Sequence, residues 1–135
     1  RINYFNTSPE ELTENEKFDV ILNLEIVEHV KDVDLYFKSC AKLLKKNGLM
    51  FTATINRTLT SYIKAIIGAE YILRWLPIGT HDWNKFIKPE ELEKKLGNKK
   101  FKTNNIQGLE FNPFFNKWKK SDNLSVNYII CSFKN

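Results

Sequence analysis

A strand–helix–strand pattern across residues 18–55 constrains the fold of this 135-residue chain more than any other feature. Residues 18–24, FDVILNL, form an apolar run of the kind found in strands that are buried on both faces of a parallel sheet. Residues 33–44 then place apolar side chains at helical spacing, and Asp32 precedes them as a candidate N-cap. A second apolar run, LMFTATI, covers residues 49–55. Two strands joined by one helix at this spacing predict a right-handed, parallel βαβ unit.

The rest of the chain adds helices and an antiparallel edge to this unit. Residues 59–76 predict an apolar helix whose few charged side chains share one side, and residues 88–97 predict a short helix. Residues 101–111 and 124–133 read as two more strands, joined by a long loop at 112–123. The sequence therefore predicts an α/β fold with a parallel βαβ centre, an antiparallel edge hairpin and a helical insertion.

Composition excludes several classes of protein. No stretch approaches the roughly 20 apolar residues that a membrane-spanning helix needs. Cys40 and Cys131 lie in apolar surroundings and indicate buried thiols in a reducing, cytoplasmic compartment. The net charge of +5 combines an acidic segment over residues 1–34 with a basic remainder, which suits an anionic partner surface or simply solvated lysines. No recognisable nucleic-acid module accompanies the basic charge, so we expect no nucleic-acid partner.

Two carboxylates and an imidazole, Glu25, Glu28 and His29, lie within five residues directly after the first predicted strand. Ligands of open α/β sheets bind outside the carboxyl ends of the strands, and Asn56 and Arg57 leave the second strand on the same side. In a helical turn the three side chains would share one face and could hold a divalent cation. His29 acting alone as a general base is an alternative, and so are two solvated carboxylates beside a structural histidine.

Several segments resemble a known family. FDVILNLEIVEHVKD and LLKKNGLMFTATINR resemble the second half of class I S-adenosylmethionine-dependent methyltransferases. The run IGAEYILRWLPIGTHDWNKFIKPEEL, residues 67–92, resembles the ubiquinone-biosynthesis O-methyltransferases, as does VNYIICS near the end of the chain. The resemblance implies that residues 1–135 are a partial methyltransferase domain, the C-terminal half of a Rossmann-like class I fold. It also implies that residues 58–88 are a helical insertion or lid.

The resemblance also implies roles for individual residues. Leu24 matches the position that borders the adenosyl group of S-adenosylmethionine. Glu25, Glu28 and His29 match a segment implicated in catalysis, in binding a divalent metal such as Mg or Zn, and in activating a catechol. The insertion is expected to contact the substrate or an anionic membrane surface, through Ile63, Ile66, Ile67, Tyr71, Trp75, His81 and Asp82.

The expected activity is O-methylation of a polyprenylated catechol or demethylubiquinol, in the cytoplasm or peripherally on the inner face of the membrane. The glycine-rich turn of such enzymes is absent, because no two of the five glycines are close in sequence. We therefore expect this chain by itself to bind S-adenosylmethionine poorly, to be inactive, and to self-associate through an exposed sheet edge. The alternatives are a lipid- or partner-binding fragment without catalysis and a methyltransferase with another acceptor.

Overall fold

The computed structural model describes residues 1–12, 17–112 and 115–135. The strands are β1 (Phe18–Leu24), β2 (Leu44–Ile55), β3 (Phe101–Asn112), β4 (Lys117–Ser121) and β5 (Asn127–Lys134). The helices are α1 (Val33–Leu43), α2 (Leu59–Ser61), a π-helix (Tyr62–Ile72), a 3₁₀ turn (Trp83–Lys85) and α3 (Pro89–Gly97). The strands form one sheet in the order β1-β2-β5-β3-β4.

The predicted βαβ unit is confirmed. Strands β1 and β2 run parallel, with Leu24 opposite Ala53 at their carboxyl ends. Strand β5 lies antiparallel between β2 and β3, and β4 pairs with β3 at the edge. The segment predicted as a loop at 112–123 instead contains β4, while Pro113 and Phe114 lie outside the described residues. The lysines of β4 hid its strand character, because they stand exposed at the sheet edge, where polar side chains cost little.

The core lies between one face of the sheet and the helices α1 and α3. Asp32 begins α1 as predicted, since its carboxylate accepts a hydrogen bond of 2.9 Å from the Leu35 backbone. The core side chains are buried: Phe37 and Cys40 of α1, Leu92 and Leu96 of α3, and Met50, Phe101, Tyr128 and Ile130 of the strands. Helices α1 and α3 thereby cover one face of the sheet.

The predicted helix over residues 59–76 is present, but most of it is π-helical. One side of the π-helix packs through Ile66 against Ile55, at the end of β2, and against Phe86. Ile66 was predicted to contact substrate or membrane, yet it is only 9% exposed and belongs to this small core. The packing against β2 places the insertion at the carboxyl end of the sheet.

The opposite face of β1 is apolar and exposed. Val20, Leu22 and Leu24 alternate along the strand with exposures of 47%, 59% and 52%. Strand β1 is also an edge of the sheet, because its only strand neighbour among the described residues is β2. The exposed edge that the sequence predicted is therefore present.

Within the described part of the chain, no helix has both the length and the apolar character to cross a bilayer.

Candidate functional site

Three strand termini meet at the candidate site. Glu25 follows β1 in a left-handed backbone conformation, with a φ of 54°, and its backbone N–H donates to the Ala53 carbonyl at 3.0 Å. The Asn56 backbone N–H, after β2, donates to the Val126 carbonyl just before β5 at 2.7 Å. The turn at Glu25 carries the chain away from the sheet, so that the Glu28 side chain returns to the end of β2.

Glu28 is the buried acid of the site. The residue is 3% exposed, and its Oε2 accepts a hydrogen bond of 2.9 Å from the Thr54 hydroxyl of β2. Its Oε1 is buried and accepts no hydrogen bond from any residue that the structure describes. A buried carboxylate oxygen without a donor is costly, which marks this position as a candidate for binding a hydroxyl group.

Glu25 and Glu28 form a coupled pair of carboxyl groups. Although Glu25 is an exposed residue, its carboxyl group lies beside that of Glu28 and accepts a hydrogen bond from the Asn127 side chain. Desolvation and the Glu28 carboxylate raise the pKa of Glu25 to about 8, against the opposing effect of Asn127. Glu25 is therefore largely protonated at neutral pH.

His29 does not join this pair. Residues 27–29 form a turn instead of the start of a helix, and the His29 backbone N–H donates to the Ile26 carbonyl at 2.9 Å. The residue is exposed, whereas Glu28 one position earlier is buried. Among the described residues, no three histidine, cysteine or acidic side chains are arranged to hold a metal ion. The donor set does not fit the predicted Mg or Zn site at Glu25, Glu28 and His29, and the structure does not support it.

Asn56 and Arg57 tie the site to its surroundings. The Asn56 amide N–H donates to the Leu124 carbonyl at 2.8 Å, while its buried Oδ1 has no hydrogen bond from the described residues. Arg57 donates to the Phe86 carbonyl at 3.2 Å and pairs with Glu91 of α3. Sequence reasoning placed both residues at this end of the sheet correctly. It missed Thr54 and Asn127, which look like ordinary strand residues until their partners are known.

His81 and Asp82, both expected to contact the substrate or a membrane, have different partners in the structure. Asp82 caps the 3₁₀ turn, since its carboxylate accepts a hydrogen bond of 3.0 Å from the Asn84 backbone. The partner of His81 is Glu70, whose Oε1 lies 2.8 Å from the imidazole Nδ1 and 2.9 Å from the His81 backbone nitrogen. Glu70 Oε2 accepts a third bond, of 2.7 Å, from the Gly79 backbone. Glu70 was predicted to lie on a polar side of its helix but is 1% exposed.

Lowering the pH should weaken the hydrogen bonds by which Gly79 and His81 hold the loop to Glu70. Burial would raise the pKa of Glu70, but the bonds from Gly79 and His81 outweigh burial and lower it. The stabilisation is therefore complete above the carboxyl's ordinary pKa of about 4.3 and is lost as pH falls through the lower folded value. We expect the free energy of unfolding, measured with urea, to fall more steeply below pH 4.3 in the parent than in Glu70→Gln. Parallel pH curves would contradict this assignment.

The exposed side of the insertion is apolar. Ile63, Ile67, Tyr71 and Trp75 are 50%, 37%, 54% and 55% exposed. Trp75 packs edge-to-face on Phe111 of β3 with ring centroids 6.0 Å apart, which extends this apolar surface to the β3–β4 hairpin. Two exposed basic side chains, Lys64 and Arg74, lie in the same segment.

Known proteins agree with this architecture. Residues 2–103 match the family model described as a methyltransferase domain. The chain is 55% identical over its whole length to the ubiquinone biosynthesis O-methyltransferase of Pelagibacter ubique, and it covers 56% of that protein. It is 53% identical over 96% of its length to the enzyme of the same name from Bartonella bacilliformis, covering 52% of it. The chain thus spans about half the length of these curated relatives.

Solved structures share the fold at low sequence identity. A possible histamine N-methyltransferase from Thermotoga maritima is 17% identical and superposes with a TM-score of 0.66, over 96% of this chain and 62% of that one. Magnesium protoporphyrin IX methyltransferase from Synechocystis, solved with bound S-adenosylhomocysteine, is 15% identical with a TM-score of 0.60, over 96% and 49%. The chain belongs to the methyltransferase-domain family, and within it corresponds to the C-terminal half of ubiquinone biosynthesis O-methyltransferases.

Proposed function

We propose that the full-length protein transfers a methyl group from S-adenosylmethionine to a hydroxyl of a polyprenylated catechol or demethylubiquinol. The names of the relatives from Pelagibacter ubique and Bartonella bacilliformis support the reaction and the pathway. The observation in this chain that carries the proposal is the unpartnered, buried Oε1 of Glu28 at the carboxyl end of the sheet. Asn56 Oδ1 is a second such acceptor. A catechol brings two adjacent hydroxyl donors, and Glu28 Oε1 is the acceptor to which we assign one of them.

This chain contributes part of a cofactor site. When bound, S-adenosylmethionine supplies an electrophilic methyl group on a positively charged sulfur. Leu24, 52% exposed at the end of β1, and Ile26, 38% exposed after it, offer an apolar wall for the adenosyl group. Both residues fit that role, but the five scattered glycines do not form the glycine-rich turn that such enzymes use to bind the cofactor. We expect the remaining contacts to come from outside these 135 residues, so this chain alone should bind the cofactor weakly.

The chain's own residues mainly position the acceptor. A phenol with a pKa near 10 is almost fully protonated at pH 7, so a hydrogen bond to the attacking oxygen must be strong and well placed. Glu28 is held by Thr54 and cannot rotate away from the site without losing that bond. Its free oxygen accepts one catechol hydroxyl and thereby directs the neighbouring oxygen toward the methyl group.

The first experiment measures transfer of labelled methyl from S-adenosylmethionine to a short-tailed demethylubiquinol by the full-length protein. Product that carries the label on oxygen supports the proposal, and no product overturns it. A chelator arm tests the metal reading separately. Activity that a chelator abolishes and Mg or Zn restores would mean that Glu25 and Glu28 hold a cation with ligands from other molecules or segments.

A second candidate function is lipid binding without catalysis, which the exposed apolar side of the π-helix favours. In the enzyme the same surface would bring a polyprenyl tail from the bilayer to the site, with Lys64 and Arg74 beside anionic headgroups. Such binding would place a cytoplasmic protein peripherally on the inner face of the membrane. Vesicle binding by a protein that transfers no methyl group would support the non-catalytic candidate.

Trp75→Ala should weaken the membrane contact. Burying a large apolar side chain contributes about 1.5–3 kcal/mol, so we expect binding to vesicles containing anionic lipid to fall at least about tenfold in co-sedimentation. Leu35→Ala is the matched control, because Leu35 is similarly exposed, at 47%, but lies on α1. Equal losses in both variants, or binding that ignores the anionic lipid, would contradict this surface.

The exposed edge and face of β1 should make the isolated chain self-associate. Val20, Leu22 and Leu24 would pack against a second copy, and the free strand edge would pair with it. Sedimentation of this chain is expected to show dimers or larger species, and Leu22→Lys should shift it to monomer. A monomeric parent at high concentration would contradict the expectation.

A further inference from the structure

The contact with Glu70 determines which nitrogen of the His81 imidazole carries the proton. An ionised carboxylate only accepts hydrogen bonds, so the 2.8 Å contact requires that His81 Nδ1 carry the proton. Nε2 of the neutral ring is then a lone-pair acceptor. Within the described residues no hydrogen bond to His81 Nε2 is formed, and the side chain retains 11% exposure. The ring therefore has a fixed tautomer and a free basic nitrogen.

The position of the ring is also defined. His81 packs edge-to-face on Phe86, with ring centroids 5.8 Å apart. Phe86 is fully buried against Ile55, the last residue of β2, and its carbonyl accepts the bond from Arg57. His81 thus lies over the carboxyl end of β2, the same end of the sheet at which Glu25 and Glu28 leave β1. Ligands of α/β sheets bind on this side.

Anchoring the loop does not by itself account for this arrangement. The two backbone N–H groups of Gly79 and His81 already bind Glu70 and hold the loop to the π-helix. A carboxylate at 1% exposure on an apolar helix is costly to desolvate, and the imidazole adds a third bond that orients the ring. The other histidine, His29, is exposed and has no carboxylate partner in the described structure. Of the two histidines, His81 is therefore the one whose surroundings suit a general base.

We propose that His81 is a catalytic base of the methyl transfer and that Glu70 is the residue that positions it. This assignment rests on the proposed O-methylation. As the acceptor oxygen forms its bond to the methyl carbon, the hydroxyl proton moves to His81 Nε2. The carbon–sulfur bond breaks, and its electron pair stays on sulfur, which becomes a neutral thioether. The imidazolium, stabilised by Glu70, later returns the proton to water.

The tautomer is tested by nitrogen-15 NMR of the full-length protein, with the His81 signals identified by their disappearance in His81→Asn. We expect a protonated Nδ1 and an unprotonated Nε2 in the neutral ring. Glu70→Gln should weaken this preference, because its side chain no longer carries the charge that holds the proton. A ring protonated on Nε2 in the parent would overturn the proposal.

The catalytic role is tested with a variant that removes Nε2 of His81 but keeps a hydrogen-bond donor to Glu70. His81→Asn keeps an N–H donor near the Nδ1 position but has no Nε2, so a purely structural role predicts activity close to the parent. We expect kcat to fall at least about 100-fold, within the range of general acid–base catalysis, with KM changed less than about twofold. Lys85→Gln, an exposed change on the adjacent 3₁₀ turn, should match the parent. Circular dichroism and thermal unfolding check that His81→Asn remains folded.

The outcomes distinguish the two proposals. An active parent with a His81→Asn variant that retains more than half of kcat would overturn the role of His81 alone. A parent that transfers no methyl group would overturn the proposed function and the role of His81 with it. A large loss of kcat at constant KM, together with the Nδ1–H tautomer, supports both.

Discussion

Glu28→Gln is expected to lower kcat/KM for methyl transfer in the full-length protein by about 30-fold, or about 2 kcal/mol, the value of a hydrogen bond to a charged group. Glutamine has nearly the same shape, and its carbonyl oxygen can still accept the Thr54 hydroxyl. Its amide N–H₂ would then replace the free Oε1 and present a donor to the substrate hydroxyl instead of an acceptor. The loss should therefore arise at the site and not from unfolding.

The control for Glu28→Gln is Glu93→Gln, the same substitution at a partly exposed residue of α3 that is not among the residues of the candidate site. Its activity should equal that of the parent. His29→Asn provides a further comparison, because the structure leaves His29 exposed and apart from the acid pair. An unchanged rate in Glu28→Gln, or a greater loss in His29→Asn, would remove Glu28 from the centre of the site.

Tyr128→Ala should cost about 4 kcal/mol of the free energy of unfolding, in the range of large-to-small substitutions of buried aromatic side chains. Tyr128 is fully buried near the start of β5, and its hydroxyl donates a hydrogen bond of 2.8 Å to the Ile87 carbonyl. Replacement by alanine leaves a cavity in the core and an unsatisfied carbonyl before α3. Urea-induced unfolding, followed by circular dichroism, measures the effect.

Tyr128→Phe separates the hydroxyl from the ring. It keeps the packing and removes only the bond to Ile87, so we expect a cost of about 1 kcal/mol. A cost for Tyr128→Phe as large as that for Tyr128→Ala would mean that the hydrogen bond, and not the packing, holds β5 against α3. Equal stability of all three proteins would contradict the burial of Tyr128.

The sequence determined the βαβ unit because its signals are local. The apolar runs of β1 and β2, the cap at Asp32 and the helical spacing of α1 each require only neighbouring residues to be read. The parallel orientation of β1 and β2 followed from the same pattern, since two strands joined by a helix of this length form a parallel crossover. The placement of Glu25 and Glu28 at the carboxyl end was a consequence of that topology.

The sequence could not determine which way individual side chains face after the strands end. Spacing predicted that Glu25, Glu28 and His29 would share one helical face, but the left-handed residue Glu25 and the following turn separate His29 from the two acids. In the insertion, too, the observed positions of side chains differ from the predicted ones. The pattern put Glu70 on a polar side and the family resemblance put Ile66 on a contact surface, yet both are buried.

Long-range contacts decided these positions. Thr54, 26 residues away, fixes the orientation of Glu28, and the loop at Gly79 and His81 returns to enclose Glu70. A buried carboxylate is stable only where donors converge on it, and those donors come from segments that no local pattern links. The sequence by itself determined the βαβ unit and the end of the sheet at which the candidate site lies. Only the tertiary structure decided which acids are buried, which histidine has a carboxylate partner and which apolar residues remain exposed, because each of these depends on contacts between distant segments.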